Sequence, residues 1–258
     1  MYKTEKNKKA YLYTNAGKRH KSNQDAAIVK IAEYKEKGPV ILAAVCDGMG
    51  GYSCGEVASS FVVKRLKKWF ESSLKKHIEE YKRFEDIVIE LNKYVIETGN
   101  FLKEYADTRK IMLGTTAVIF LQIGGNYAFI NIGDSRGYII SWPMIKQLTH
   151  DQSLVQQKID QGLLNKRTAL KSSQQSIILQ GLGVSKSLNP EITMGKIKNT
   201  ESFLLCTDGF WRKLSNREIN GITGRLLNYE NIEERLKTMG EKAIKRGETD
   251  NLTAVVIA

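Results

Sequence analysis

VILAAVCDGMGG, residues 40–51, is the stretch from which the fold is read. Val40 to Cys46 is almost continuously apolar and stops at Asp47-Gly48. The run is short and ends on a turn signal, so it predicts a buried strand. From Gly55 the spacing changes: Val57, Phe61, Val62, Leu66, Trp69 and Phe70 recur with a helical period. The same period predicts a second helix from about Ile78 to Tyr105, with Tyr81, Phe84, Val88, Leu91, Val95 and Leu102 near one face. On the N-terminal side, Tyr11–Thr14 and Ala26–Ala32 read as strands. On the C-terminal side, Thr115–Gln122 and Tyr127–Asn131 flank the hairpin signal Gly124-Gly125-Asn126. Gly137–Trp142, Ser202–Cys206 and Leu252–Ala258 read as further strands. Ser153–Thr168, followed by a glutamine- and serine-rich loop, and Ile232–Lys245 read as helices. Strands at both ends with long helices grouped between them predict an α+β domain in which helices cover antiparallel sheets.

Composition supports one domain spanning residues 1–258. The chain is 41% hydrophobic and 26% charged, with three prolines and no Gly/Ser-rich or Pro-rich linker. The net charge of +12 is spread over the chain, with local density at residues 3–9 and at 64–68. A lysine-rich solvated surface is the favoured reading, ahead of attraction for acidic, phosphorylated substrates. Nucleic-acid binding would ask for a concentrated basic motif, and none is present. Cys46, Cys54 and Cys206 form no paired spacing, which fits a reducing, cytoplasmic setting. Neither Cys46 nor Cys206 opens a glycine-rich loop ending in arginine, which argues against a cysteine-nucleophile phosphatase. The lysine-rich N-terminus lacks the apolar core of a secretory signal, and no apolar run approaches a membrane span.

Asp47 shares its context with four other aspartates. Asp134 follows AFINIG, Asp208 follows FLLCT, Asp250 precedes Asn251 and the terminal strand, and Asp25 heads AAIVKI. Strand ends hold short carboxylates rigidly, and neighbouring glycines let a ligand approach the backbone. Converging carboxylates repel unless cations neutralise them, and oxygen-only ligation selects Mg²⁺ or Mn²⁺. An isolated Asp-Gly, however, is more often a turn than a catalytic element. Spacing by itself leaves a metal site and a set of turns about equally open.

The ordered motifs go further. SNQDA (22–26), VCDGMGG (45–51), LGTTAV (113–118), NIGDSRGY (131–138), QLTHDQS (147–153), LLCTDG (204–209) and TDNLT (249–253) resemble the PPM, or PP2C-type, metal-dependent protein serine/threonine phosphatases. The resemblance runs from about Thr14 to Ala258 and implies a PP2C-like β-sandwich, two antiparallel sheets flanked by helices in α/β/β/α order, with metals at one edge. It implies hydrolysis of phosphoserine and phosphothreonine by metal-bound hydroxide, with two or three Mn²⁺ or Mg²⁺ ions. Asp47 would bridge two metals, Asp208 and Asp250 would complete the first, and Asp25 with the Gly48 carbonyl would serve the second. Asp134 with Asp208 would support the third, weaker metal of bacterial members. Asp47, Asp208 and Asp250 are thus the catalytic candidates. Residues 151–180 match the flap that tunes substrate choice, while Gly114, Thr115 and Thr116 shape the approach to the metals. The implied partners are phosphoproteins, with a Ser/Thr kinase as the opposing enzyme, and neither nucleic acid nor membrane. The alternative is a catalytically weak or silent regulatory binding protein of the same fold.

Three departures bear on that alternative. Gln24 stands where the family commonly has Glu, and His20 where a phosphate-binding arginine is usual, which makes His20 the candidate phosphate contact. Arg19 and Lys21 flank it and are the alternative phosphate contacts, though alternation would point them away if the segment is extended. Met49 replaces the histidine of eukaryotic members and is the bacterial form. His77 reads as a solvated surface residue and His150 as a surface or capping residue.

Overall fold

The computed structural model describes residues 9–20, 22–50, 54–80, 83–169, 172–198, 200–223 and 231–258. The chain opens with β1 (Ala10–Asn15), β2 (Asp25–Tyr34) and β3 (Gly38–Met49), followed by α1 (Cys54–Ser72), α2 (Leu74–Glu80) and α3 (Phe84–Arg109). Strands β4 (Gly114–Thr115), β5 (Ala117–Ile123), β6 (Asn126–Ile132), β7 (Arg136–Ser141) and β8 (Met144–Gln147) come next. Helices α4 (Leu154–Asp160) and α5 (Lys166–Ala169) precede β9 (Glu191–Lys196) and β10 (Ser202–Cys206). Helices α6 (Asp208–Trp211), α7 (Asn216–Asn220) and α8 (Ile232–Lys245) lead to β11 (Leu252–Ile257).

Two antiparallel sheets result. One has the order β2-β3-β5-β6-β9, with β4 paired to the end of β3, and the other has the order β1-β11-β10-β7-β8. The opening stretch explains how they stack. Along β3 every second residue (Ile41, Ala43, Val45) packs into the core between the sheets with Phe120, Phe129, Phe203 and Val255. The alternate residues (Val40, Leu42, Ala44, Cys46) face the helical layer formed by α1, α2 and α3, including Leu66, Trp69 and Leu91. A strand apolar on both faces is therefore sandwiched on both faces. The second sheet repeats the arrangement. Phe203 and Leu205 of β10 point inward, while Leu204 and Cys206 meet Phe210 of α6 and Leu236 of α8. The expected α/β/β/α sandwich is what the residues build. Among the described residues, no helix is long and apolar enough to cross a membrane.

Some boundaries differ from the sequence reading. The helix expected over Ile78–Tyr105 is two helices, because Arg83 is extended (φ −104°, ψ 139°) and starts α3 afresh. Apolar periodicity continues across such a break and conceals it. Tyr81, placed on that helix, lies outside the described residues, as does Gly51. The helix expected over Ser153–Thr168 is also two short ones, since Gly162 at φ +72° ends the first turn pattern. Ser153 caps α4, its Oγ accepting from the Gln156 N–H. Strands β8 and β9 and helix α7 were not expected. β8 and β9 are edge strands with mixed apolar and polar composition, so neither carries the long apolar signal of a central strand.

Candidate metal centre

The alternation that buries Val45 of β3 and Ala27 of β2 between the sheets places Asp47 and Asp25, each two residues further along its strand, in the same slot. They are also directly paired across the two strands. The same parity brings Thr207, beyond β10, and Thr253 of β11 inward from the opposite sheet. Thr207 Oγ1 donates to Asp25 Oδ2 at 2.9 Å and accepts the Thr253 N–H at 2.9 Å. One hydroxyl thus joins the second sheet to a carboxylate of the first.

Asp47 is held by its backbone. Its N–H donates to Thr116 Oγ1 at 3.1 Å. Its carbonyl accepts from Thr115 Oγ1 at 2.8 Å and from the Thr116 N–H at 2.9 Å. Thr116 Oγ1 in turn lies 2.8 Å from Ser135 Oγ, next to Asp134. Gly114, Thr115 and Thr116 therefore shape the site rather than line it. Gly48 sits where a Cβ would lie 2.2 Å from the Gly55 carbonyl oxygen and 2.5 Å from that of Gln24, so any side chain would force the backbones apart. Gln24 is buried, and its own carbonyl accepts from Ser59 Oγ at 2.6 Å.

Asp208 opens α6, and its Oδ2 is ion-paired with Arg212 Nη2 one helical turn on. Asp250 Oδ2 accepts from Arg19 Nη1 at 2.8 Å, and His20 Nε2 lies 3.6 Å from Oδ1. Arg19 reaches Asp250 from the surface because residues 17–19 form a turn, with Gly17 at φ +63° under the Asp250 carbonyl, and not the extended segment that alternation assumed. Lys21 lies outside the described residues. Asn251 fastens this loop: its Oδ1 accepts the Gln24 N–H and its Nδ2 donates to the Ala16 carbonyl. Asp134 faces a cavity of about 340 Å³ between α6–α7 and the segment carrying α4 and α5, lined also by Arg136, Asp151, Trp211 and Arg212. At its base Arg136 makes a bidentate pair with Asp151 (Nη2–Oδ2 2.5 Å) and lies 3.2 Å from the centroid of the Trp211 ring. His150 bonds Asp160 at 2.7 Å on the surface, as expected. His77 is half-buried and stacks on Trp69 at 5.8 Å, so it is a packing residue and not a solvated one.

The electrostatics follow from this crowding. Burial raises the Asp47 carboxyl well above its usual range, the charges of Asp25, Asp134 and Asp250 raise it further, and Arg212 opposes them. Asp25 is pushed up to about 7, chiefly by burial, with hydrogen bonds from Thr253 and Thr207 acting against it and the Asp250 charge adding to it. Asp134 rises to about 6 through burial and the charge of Asp151, offset in part by Arg212 and Arg136. Asp25 Oδ1 and Asp208 Oδ1 are both buried without a protein partner. Orphaned oxygens amid mutually repelling carboxyls fit a bound divalent cation. Among the described residues, no three acidic, histidine or cysteine side chains already close on one point. Asp208 and Asp250 are instead turned to the arginines of the chain. The sequence reading missed Thr207, Asn251 and Arg212. The strand parity of LLCTDG and the four-residue step from Asp208 to Arg212 were the available signals.

A two-sheet sandwich with paired acidic strand ends defines the class, and comparison with known proteins agrees. Residues 14–251 match the Protein phosphatase 2C family, and the chain belongs to it. It is 28% identical over 251 residues to the serine/threonine phosphatase stp of Listeria innocua, covering 96% of this chain and 94% of that protein. The serine/threonine phosphatase Stp1 of Staphylococcus aureus superposes with a TM-score of 0.84 at 26% identity, covering 100% of this chain and 97% of that structure. The catalytic domain of the serine threonine protein phosphatase PstP, solved in complex with 2 manganese ions, gives 0.77 at 25% identity, covering 97% of each chain.

Proposed function

We propose that this chain is a divalent-metal-dependent phosphatase of phosphoserine and phosphothreonine in proteins, working as a single domain of the bacterial PP2C type. The observation that carries the reading is the Asp25–Asp47 pair at one end of the sandwich, with buried oxygens that no protein group satisfies. Asp47, Asp208 and Asp250 would hold the first ion, and Asp25, Asp47 and the Gly48 carbonyl the second, with Mn²⁺ or Mg²⁺ as the metal. Such ions, when bound, acidify water and offset the charge of a transferring phosphate.

The chain's own groups do the rest. Thr207 fixes Asp25 by spending its single proton on Oδ2, which leaves Oδ1 for a ligand. Arg19 and His20, both beside Asp250, would contact phosphate oxygens at the rim. Arg19 restores there the guanidinium that His20 lacks. A protein carrying these groups would act in the cytoplasm on the products of a Ser/Thr kinase. The test is release of phosphate from a phosphothreonine peptide and from a small aryl phosphate with Mn²⁺, run beside a phosphotyrosine peptide. We expect chelator-sensitive turnover that favours phosphothreonine. Full activity of D208A, or activity indifferent to chelator, would reject the proposal.

A further inference from the structure

We infer that the guanidinium of Arg212 is a built-in cation standing in for the third, weaker metal that the family resemblance implies, so that this chain binds two ions and not three. The inference rests on the metal-dependent reading above.

The two oxygens of Asp208 are divided. Oδ2 is ion-paired with Arg212 Nη2, while Oδ1 is buried and without a partner. One oxygen is thus committed to a cation that belongs to the chain, and one is left for an ion that does not. A third metal would have to share Asp208 with Asp134. Arg212 already occupies that side, because it lines the same cavity as Asp134. The side chain is only 14% exposed, so water screens it little.

Neighbouring groups close off other arrangements. Arg136, the other arginine on the cavity wall, is committed to Asp151 and stacked over Trp211. Both guanidiniums on this wall are thus tied to carboxylates, and the Asp208 oxygen that a further ion would share with Asp134 is already taken by Arg212. The placement of Arg212 comes from simple geometry. It follows Asp208 by four residues, one turn along α6, which puts both side chains on one face. A guanidinium does not deprotonate, and neither dilution nor chelation removes it. The charge that a weakly bound third ion would supply is permanent here.

The experiment is equilibrium dialysis of the chelator-stripped full chain against Mn²⁺ up to millimolar concentration, with bound metal counted by atomic absorption. Wild type is expected to saturate near two ions, and R212K to do the same. R212A is expected to take up one more, weakly, with a count near three. Should R212A fail to fold by circular dichroism, R212Q keeps the bulk and hydrogen bonds without the charge and reports the same count. A wild-type count near three, or a folded R212A or R212Q that stays at two, overturns the inference while leaving the phosphatase reading intact. A folded wild type that binds no Mn²⁺ overturns both.

Discussion

Replacing Asp25 with asparagine removes one negative charge from the cluster and keeps an oxygen that accepts from Thr207. The Asp25 carboxyl is raised from an ordinary 3.8 to about 7, first by burial. Between those values the folded chain holds a proton that the unfolded chain has released, so stability falls as pH rises through that window and stays low above it. At about 1.4 kcal/mol per pKa unit, an ionised Asp25 opposes folding by at most about 4 kcal/mol. The residue is half-buried rather than sealed, and solvent on its open side reduces this to about 2 kcal/mol. D25N should therefore melt roughly 4–8 °C above wild type at pH 8 in EDTA. The gap should shrink towards zero near pH 4, where both chains are neutral at this position. With Mn²⁺ the order should reverse. Wild type gains about 2.7 kcal/mol at a hundredfold excess over Kd, and D25N, having lost a proposed metal ligand, gains less. The assay is thermal melting followed by circular dichroism, in EDTA and in Mn²⁺, from pH 4 to 8. A D25N melting point at or below wild type at pH 8 in EDTA, or an offset independent of pH, would refute the idea that an ionised Asp25 is held against the cost of its burial.

Two other outcomes follow from the same geometry. Thr207→Val leaves the buried Thr253 N–H and one Asp25 oxygen without their partner, at a cost of about 1–3 kcal/mol in urea unfolding, and should weaken Mn²⁺ binding. T207S should restore both. Arg19→Ala should raise KM for an aryl phosphate more than it lowers kcat, because Arg19 is proposed to grip phosphate at the rim. An unchanged KM would assign Arg19 to the structural tie with Asp250 alone.

The parts of the fold that the sequence displayed are those where one residue pattern has one physical solution. VILAAVC and SFLLC are apolar on both strand faces, and such strands persist only between two packed layers. The break at Arg83 was hidden because apolar spacing continued through it. Helix α7 did carry a local signal, the Ser215–Glu218 capping box, but it is a single turn with little apolar face. Edge strands β8 and β9 bury only part of their length, which dilutes the period that reveals central strands.

The site divides in the same way. The sequence by itself determined which residues were candidates, since a short acidic side chain at the end of a buried strand and its ordered motifs are local features. It could not determine that Asp25 and Asp47 face one another, because they are 22 residues apart in the chain and strand register is a property of two segments together. Nor could it reveal that Thr207 orients Asp25 from the opposite sheet or that a turn swings Arg19 onto Asp250. Those are long-range Coulomb and hydrogen-bond relations. They depend on distances in space, and only the packed sandwich supplies them.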